Sequence, residues 1–394
     1  MKKRTYFDYA ASTPIRTDVL SAMRPYFSAE YGNAGSLHSF GQRAIAAVDE
    51  SREALARALG AEFRNVIFTG SATEANNLAL RGAVKKWNET HGGAGKKPHI
   101  IISAIEHESV RETAKDIAKE GVEVTEIRVD SGGLIDPIDV RKSMTPETIL
   151  VSIMYANNEI GTIEPIKEIG KVVAGFRSGR ASQYPLFHVD AVQAFQFLFC
   201  DVNELGADFL TLSAHKIYGP KGIGALYVRD LDFLFPIITG GGQEFGLRSG
   251  TENVAGIVGF AKAVELATKN RKSAAGRAAL LADRLMRQML RVNPNIKRHG
   301  PRDASRRLPN ILNMYIPGVR ADELITQLDL KGIAISAGSA CKARSVSPSH
   351  VFEAIGVALR AGKESVRISV GAATTAKEIE TFLQEFKKIF RSYE

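Results

Sequence analysis

The chain has 394 residues but only two cysteines, Cys200 and Cys341. They stand far apart, without a CxxC, and no HExxH occurs, so neither a disulfide framework nor a familiar zinc motif is encoded. No run approaches the ~18 uninterrupted apolar residues of a membrane-spanning helix. The opening MKKRTYFDYAAS is basic but lacks the apolar stretch of a secretory signal. A cytoplasmic protein with no membrane partner is expected. There is no internal repeat. THGGAGKKP lacks the Gly–Lys spacing of a phosphate-binding P-loop and reads as a surface turn. The net charge of +9 is spread thinly, with small clusters at KNRK and RRL. It reads as a solvated surface, or as an attraction for anionic ligands. No aromatics interleave with those bases, so direct nucleic-acid binding is not expected.

What is present is alternation. Between about Asn65 and Arg229 seven short β-branched runs occur: NVIFTG, HIIISA, VEVTEIRV, TILVSIMYA, LFHVDA, DFLTLSA and GALYVRD. Amphipathic stretches such as Glu74–Trp87 and Ser109–Glu120 separate them. This predicts an α/β fold with a mostly parallel seven-stranded sheet covered on both faces. GIGALYV follows DFLTLSAHK too closely for a helical crossover, so that strand is expected to run antiparallel. After TGGGQEFGLRSGT the pattern changes. A helical stretch from about Asn253 to Val292 leads to LPNILNMYI, IAISAG and VRISVG, then to a helix opened by the capping box Thr375–Glu378. We expect a large domain over 18–261 and a smaller α+β domain formed by 1–17 and 262–394.

Ligands of such sheets bind beyond the carboxyl ends of the strands, and the residues there carry chemistry. NVIFTG ends in SATEANN, where Ser71 and Glu74 form a capping box. The helix start is either a plain cap or a phosphate site helped by Thr73. HIIISA ends in IEHES and places His107 at the sheet edge. TILVSIMYA ends in NNEIG. LFHVDA ends in Asp190, with Gln193 following; a buried acid there needs a partner, either a cationic ring nitrogen or a Lys or Arg. DFLTLSAHK ends in Ser213, His215 and Lys216, and a lysine at such an end can form a Schiff base. Together they match the needs of pyridoxal 5′-phosphate: a phosphate cup, a ring-nitrogen partner, a stacking group and a lysine.

DYAASTP, GNAGSLHSFG, FTGSATEANNLAL, MYANNEIG, HVDAVQA, SAHKIYGPKGIGALYV, GGGQEFGLRSGT, PNILN and SAGSAC follow one another in the chain. In this order they resemble the cysteine desulfurases of the class V aminotransferase family, fold type I, in the iron–sulfur-cluster group. The resemblance runs from Tyr6 to about Gly371. It implies that Lys216 bonds to the cofactor, Asp190 holds the pyridine nitrogen protonated, His107 stacks on the ring and shuttles a proton, and Gln193 meets the phenolic oxygen. It implies a phosphate cup of Ala72, Thr73, Ser213 and His215, completed across a homodimer by Thr251. Asn158, which also belongs to the cofactor-binding set, would bind substrate with Arg367 and Asn33. Arg367 suits a bidentate contact with the substrate carboxylate; read alone, it also fits a surface charge at a strand edge.

The resemblance also explains ISAGSACKARSVS, a run of small residues around Cys341. A nucleophilic thiol must reach substrate and leave with its cargo, and Lys342 and Arg344 favour the thiolate. The implied reaction converts L-cysteine to L-alanine, with Lys216 removing the α-proton and Cys341 taking the sulfur as a persulfide. A protein acceptor would follow, such as an iron–sulfur scaffold or a tRNA-thiolation protein. Cys200, inside FQFLFCDV, reads as a buried structural thiol. Two departures from the family pattern are Ala214, where glycine is usual, and Val192, where threonine or serine is frequent. A lyase acting mainly on selenocysteine, and a non-catalytic scaffold, are the rival readings.

Overall fold

The computed structural model describes residues 4–91, 97–180, 182–337 and 349–391. Its centre is a seven-stranded sheet: β1 (Val66–Thr69), β2 (His99–Ser103), β3 (Glu123–Ile127), β4 (Thr148–Met154), β5 (Leu186–Asp190), β6 (Phe209–Ser213) and β7 (Gly224–Val228). The spatial order is β1-β7-β6-β5-β4-β2-β3. Only β7 runs antiparallel to its neighbours, as the short connection from β6 requires. Every strand but the edge strand β3 is buried along its whole length. This is why the runs are continuously apolar rather than alternating.

Helices cover both faces. On one, α1 (Ser39–Leu59), α4 (Ile166–Ser178) and the first part of α5 (Val254–Val292) bring Leu55, Ile169 and Phe260 against Phe68, Val151 and Val189. On the other, α2 (Ala72–His91) and α3 (Glu108–Lys119) bring Leu78, Trp87 and Val110 against Ile67, Ile102 and Leu150.

A second core gathers around an antiparallel sheet of β8 (Lys297–Arg298), β9 (Ile311–Tyr315), β10 (Ser336–Ala337) and β11 (Ser365–Ser369), ordered β10-β11-β9-β8. α6 (Ala376–Arg391) packs Phe382 and Phe386 into it. The box predicted at its start is complete: Thr375 N donates to Glu378 Oε2 (2.8 Å), and Glu378 N donates to Thr375 Oγ1 (3.2 Å). α5 has 39 residues, about 58 Å of helix. Its Ile257 and Phe260 belong to the first core and its Leu285 and Met289 to the second. The boundary expected at 261/262 falls inside it. The amino-terminal segment pairs Thr5–Tyr6 with Ile333–Ala334, sets Phe7 in the second core, and then delivers Ala10 and Ala11 to the carboxyl edge of the large sheet.

Candidate active site

The carboxyl edge gathers the expected residues because each ends or follows a strand there. Asp190 closes β5 and Ser213 closes β6. The turn Ala214–Lys216 follows at once. His107 caps α3 just after β2, its ring accepting from Ser109 N. Lys216, His107, Asn158 and Arg367 line one cavity, together with Glu106 and His350. Lys216 Nζ donates to the carbonyls of Ala10 (2.6 Å) and Ala11 (2.9 Å), and Gln193 Nε2 donates to the same Ala10 carbonyl (2.8 Å).

Asp190 is 5 % exposed. Its Oδ2 accepts from Asn76 Nδ2 (2.9 Å) and its Oδ1 from the Val192 amide (3.0 Å). Among the described residues it forms no ion pair with a Lys or Arg. Two neutral donors leave a buried carboxylate short of a cation, which suits a protonated ring nitrogen. Burial lowers the His107 pKa; nearby Asp190 opposes this and Lys216 adds to it. Burial chiefly, then Lys216, Lys221 and His107, pushes His215 down to about 4. Both rings are therefore neutral at pH 7.

The start of α2 carries the anion-binding chemistry. Ser71 Oγ accepts from Glu74 N (3.1 Å), but the reciprocal bond of the expected box goes elsewhere: Glu74 Oε2 accepts from Gly70 N (2.8 Å), and Oε1 from Arg248 Nε (2.7 Å). A methyl at Gly224, the first residue of β7, would stand 2.6 Å from the Ser71 carbonyl carbon and 2.8 Å from the Ala72 nitrogen. Only glycine lets the strand approach so near the helix start. With Thr73 exposed, Ser213 buried and His215 Nδ1 lying 3.3 Å from Ser12 Oγ, the donors suit a phosphate. Helix amides, a cation-poor carboxylate and a lysine amine fit pyridoxal 5′-phosphate.

The Aminotransferase class-V family model matches residues 5–382. The chain is 42% identical over 390 residues to the cysteine desulfurase IscS of Dictyoglomus turgidum, covering 99% of this chain and 95% of that protein. It is 40% identical over 379 residues to cysteine desulfurase IscS 1 of Archaeoglobus fulgidus, covering 96% and 95%. The solved structure of a NifS-like protein superposes with a TM-score of 0.90 at 35% identity, over 99% of this chain and all of that one. That of SspA in complex with cysteine does so with 0.79 at 36% identity, over 94% and 100%. The chain belongs to the class-V aminotransferase family, among its cysteine desulfurases.

Other residues expected in this desulfurase are placed less simply. Arg367 is 1 % exposed and is no surface charge. Its Nη2 donates to Asp8 Oδ1 (2.7 Å) and its Nη1 to the Asn158 carbonyl (2.9 Å). Thr251 lines a different cavity, with Gly70 and Arg248. Asn33 is exposed, its Oδ1 accepting from Gly35 N (2.8 Å), and it does not line the cavity of Lys216. Cys341 lies outside the described residues. Cys200 is buried, and burial pushes its thiol up to about 12, so it is inert as a nucleophile.

Sequence reasoning missed Asp8 and Glu106. Glu106 is wholly buried, with Oε1 accepting from Ser103 Oγ and Met154 N, both at 2.7 Å. Burial raises its carboxyl pKa well above the ordinary value. His350 Nε2 meets the Glu106 carbonyl at 2.8 Å. Glu106 precedes His107 at a strand end and Asp8 opens DYAASTP, so position was the available signal for both.

Proposed function

We propose that this desulfurase is pyridoxal-phosphate-dependent and converts L-cysteine to L-alanine, leaving a persulfide on Cys341. The observation that carries the reading is the convergence of Lys216, His107, Asn158 and Arg367 on one cavity, with Asp190 buried beside His107. The cofactor would be held by Lys216 at its aldehyde carbon, Asp190 at its ring nitrogen, His107 against the ring face and Gln193 at its phenolic oxygen. Ala72, Thr73, Ser213 and His215 would hold its phosphate. When bound, it supplies an electron sink for negative charge at the substrate α-carbon.

The chain's own groups do the rest. Arg367, anchored by Asp8 and the Asn158 carbonyl, keeps N–H donors for the substrate carboxylate, joined by Asn158. Asn33 belongs to this substrate set through the resemblance of GNAGSLHSFG. Lys216 Nζ takes the α-proton. Cys341 Sγ attacks the substrate sulfur: an S–S bond forms, the C–S bond breaks, the β-carbon gains a proton, and the proton held on Lys216 returns to the α-carbon, which gives alanine. The persulfide then passes to a protein acceptor in iron–sulfur assembly or tRNA thiolation. Thr251, exposed and turned to a cavity of its own, would complete the phosphate cup of a second copy in a homodimer. The protein acts in the cytoplasm, and residues 18–261 form its cofactor-binding domain.

Purified protein is expected to absorb in the visible and to lose that band in Lys216→Ala. Incubation with L-cysteine should leave a persulfide on Cys341, absent in Cys341→Ala. Full alanine formation by Cys341→Ala would sink the proposal.

A further inference from the structure

Two buried side chains with no role assigned so far stand between Asp190 and His107. Asn76 Nδ2 lies 2.9 Å from Asp190 Oδ2 and 2.8 Å from Ser109 Oγ. Ser109 Oγ in turn lies 2.9 Å from His107 Nδ1, and Ser109 N donates to the same ring nitrogen at 3.1 Å. The direction of every bond follows. A backbone N–H can only donate, so Nδ1 is an acceptor and the ring proton sits on Nε2. The Ser109 hydroxyl must then donate to Nδ1 and accept from Asn76. The amide nitrogen has two hydrogens, one for Oγ and one for the carboxylate, which can only accept. Asn76 Oδ1 is buried with no hydrogen-bond partner among the described residues. The amide is thus held for its donors at the expense of its acceptor.

We propose that Asn76 and Ser109 are positioning residues that fix the Nε2–H tautomer of His107 and tie it, through one unidirectional chain of hydrogen bonds, to the charge on Asp190. His107 then exchanges protons only through Nε2, because a proton on Nδ1 would break the bond from Ser109 N and reverse the one from Ser109 Oγ. The charged groups facing the ring are Asp190, Lys216 and Glu108, with His215 close by. Burial already favours the neutral ring, and the chain decides which nitrogen carries its proton. That Nε2 serves a cofactor and substrate rests on the function proposed above; the tautomer does not.

The test is nitrogen NMR of the as-purified protein carrying ¹⁵N-histidine, with His107→Gln identifying the signal. Expected is a protonated Nε2 and a bare, hydrogen-bonded Nδ1. In Ser109→Ala the neutral ring loses a donor, so its proton affinity should rise about three- to tenfold. Ser109→Thr should restore the original titration. Asn76→Asp keeps the shape but removes both donors, and should move the titration in the same direction. A proton on Nδ1 in the unaltered protein, or an unchanged His107 titration in folded Ser109→Ala, overturns the proposal whatever Asn76→Asp does. The visible band separates the two ideas. Unchanged titration with the band present defeats this wiring alone, whereas the expected tautomer in a protein that takes up no cofactor defeats the functional reading alone.

Discussion

Arg52 and Arg367 are both buried, and each pairs with a carboxylate distant in sequence, yet their surroundings differ in the feature that matters. Arg52 grips Glu244 with both terminal nitrogens (2.6 and 2.9 Å) and also donates to the Val66 carbonyl (2.6 Å). Glu244 takes the Phe68 amide as well (2.9 Å), and the guanidinium lies over the rings of Phe63, Phe68 and Phe245. Glu244 and Phe245 have φ of 50° and 58°, a left-handed stretch that costs about 1–3 kcal/mol per residue and needs such a clamp. Arg367 makes one bond to Asp8 and one to a carbonyl, and it borders the cavity of Lys216. Burial and pairing are common to both. Of the two, Arg367 alone borders the cavity of Lys216, and on that difference rests the substrate role proposed for it.

The largest effect should come from the clamp. Arg52→Met strands the Glu244 charge and should cost about 3–5 kcal/mol in denaturant unfolding, while the molecules that stay folded keep their turnover. A loss below about 1 kcal/mol would mean that this pair is not the fastening described. Next, Arg367→Lys keeps a cation opposite Asp8 but removes the planar fork. It should forfeit about 1.5–3 kcal/mol of transition-state binding, roughly ten- to a hundredfold in kcat/KM for L-cysteine, with a small change in Tm. Unaltered kinetics with a large fall in Tm would make Arg367 a second Arg52.

The smallest effect concerns a buried acid kept neutral by its proton. Burial pushes Glu164 up to about 8, against donation from the Ile135 amide. Its unfolded form ionises near 4.5, so the folded state holds the extra proton between those values. The contribution is full below 4.5 and is lost as pH rises to about 8. Histidines act oppositely: His188, His215 and His299, each lowered to about 4, contribute fully above 6.5 and lose that contribution as pH falls. Above 6.5 those histidines no longer add a slope, and the decline up to 8 belongs to buried acids held up in the same way, Glu164 and the wholly buried Glu106. Glu164→Gln should flatten the decline of Tm there, and an unchanged slope would assign the decline to other groups.

Much of the site was legible because chemistry sits where apolar runs stop. Asp190, Ser213 and Lys216 each end or follow such a run, and the ten residues from Ala214 to Ile223 could hold no helical crossover, which reversed β7. What stayed hidden were pairings across the chain. Asp8 meets Arg367 at a separation of 359 residues, so Arg367 read by itself fitted a surface charge. Asn76 and Ser109 sit in ordinary helical patterns, and nothing local announces that they meet Asp190 and His107. Glu74 fitted a capping box by spacing, but Arg248, 174 residues away, shares its carboxylate. Asn33 and Thr251 came from the family resemblance alone, since neither ends a strand.

α5 binds the fate of the two cores together. A chain divided between residues 261 and 262 would sever one uninterrupted rod, leaving Ala278, Ala282, Leu285 and Met289 on a fragment without the turns that orient them. Neither half could loosen without loosening the other's scaffold, so heating should give a single melting transition rather than two.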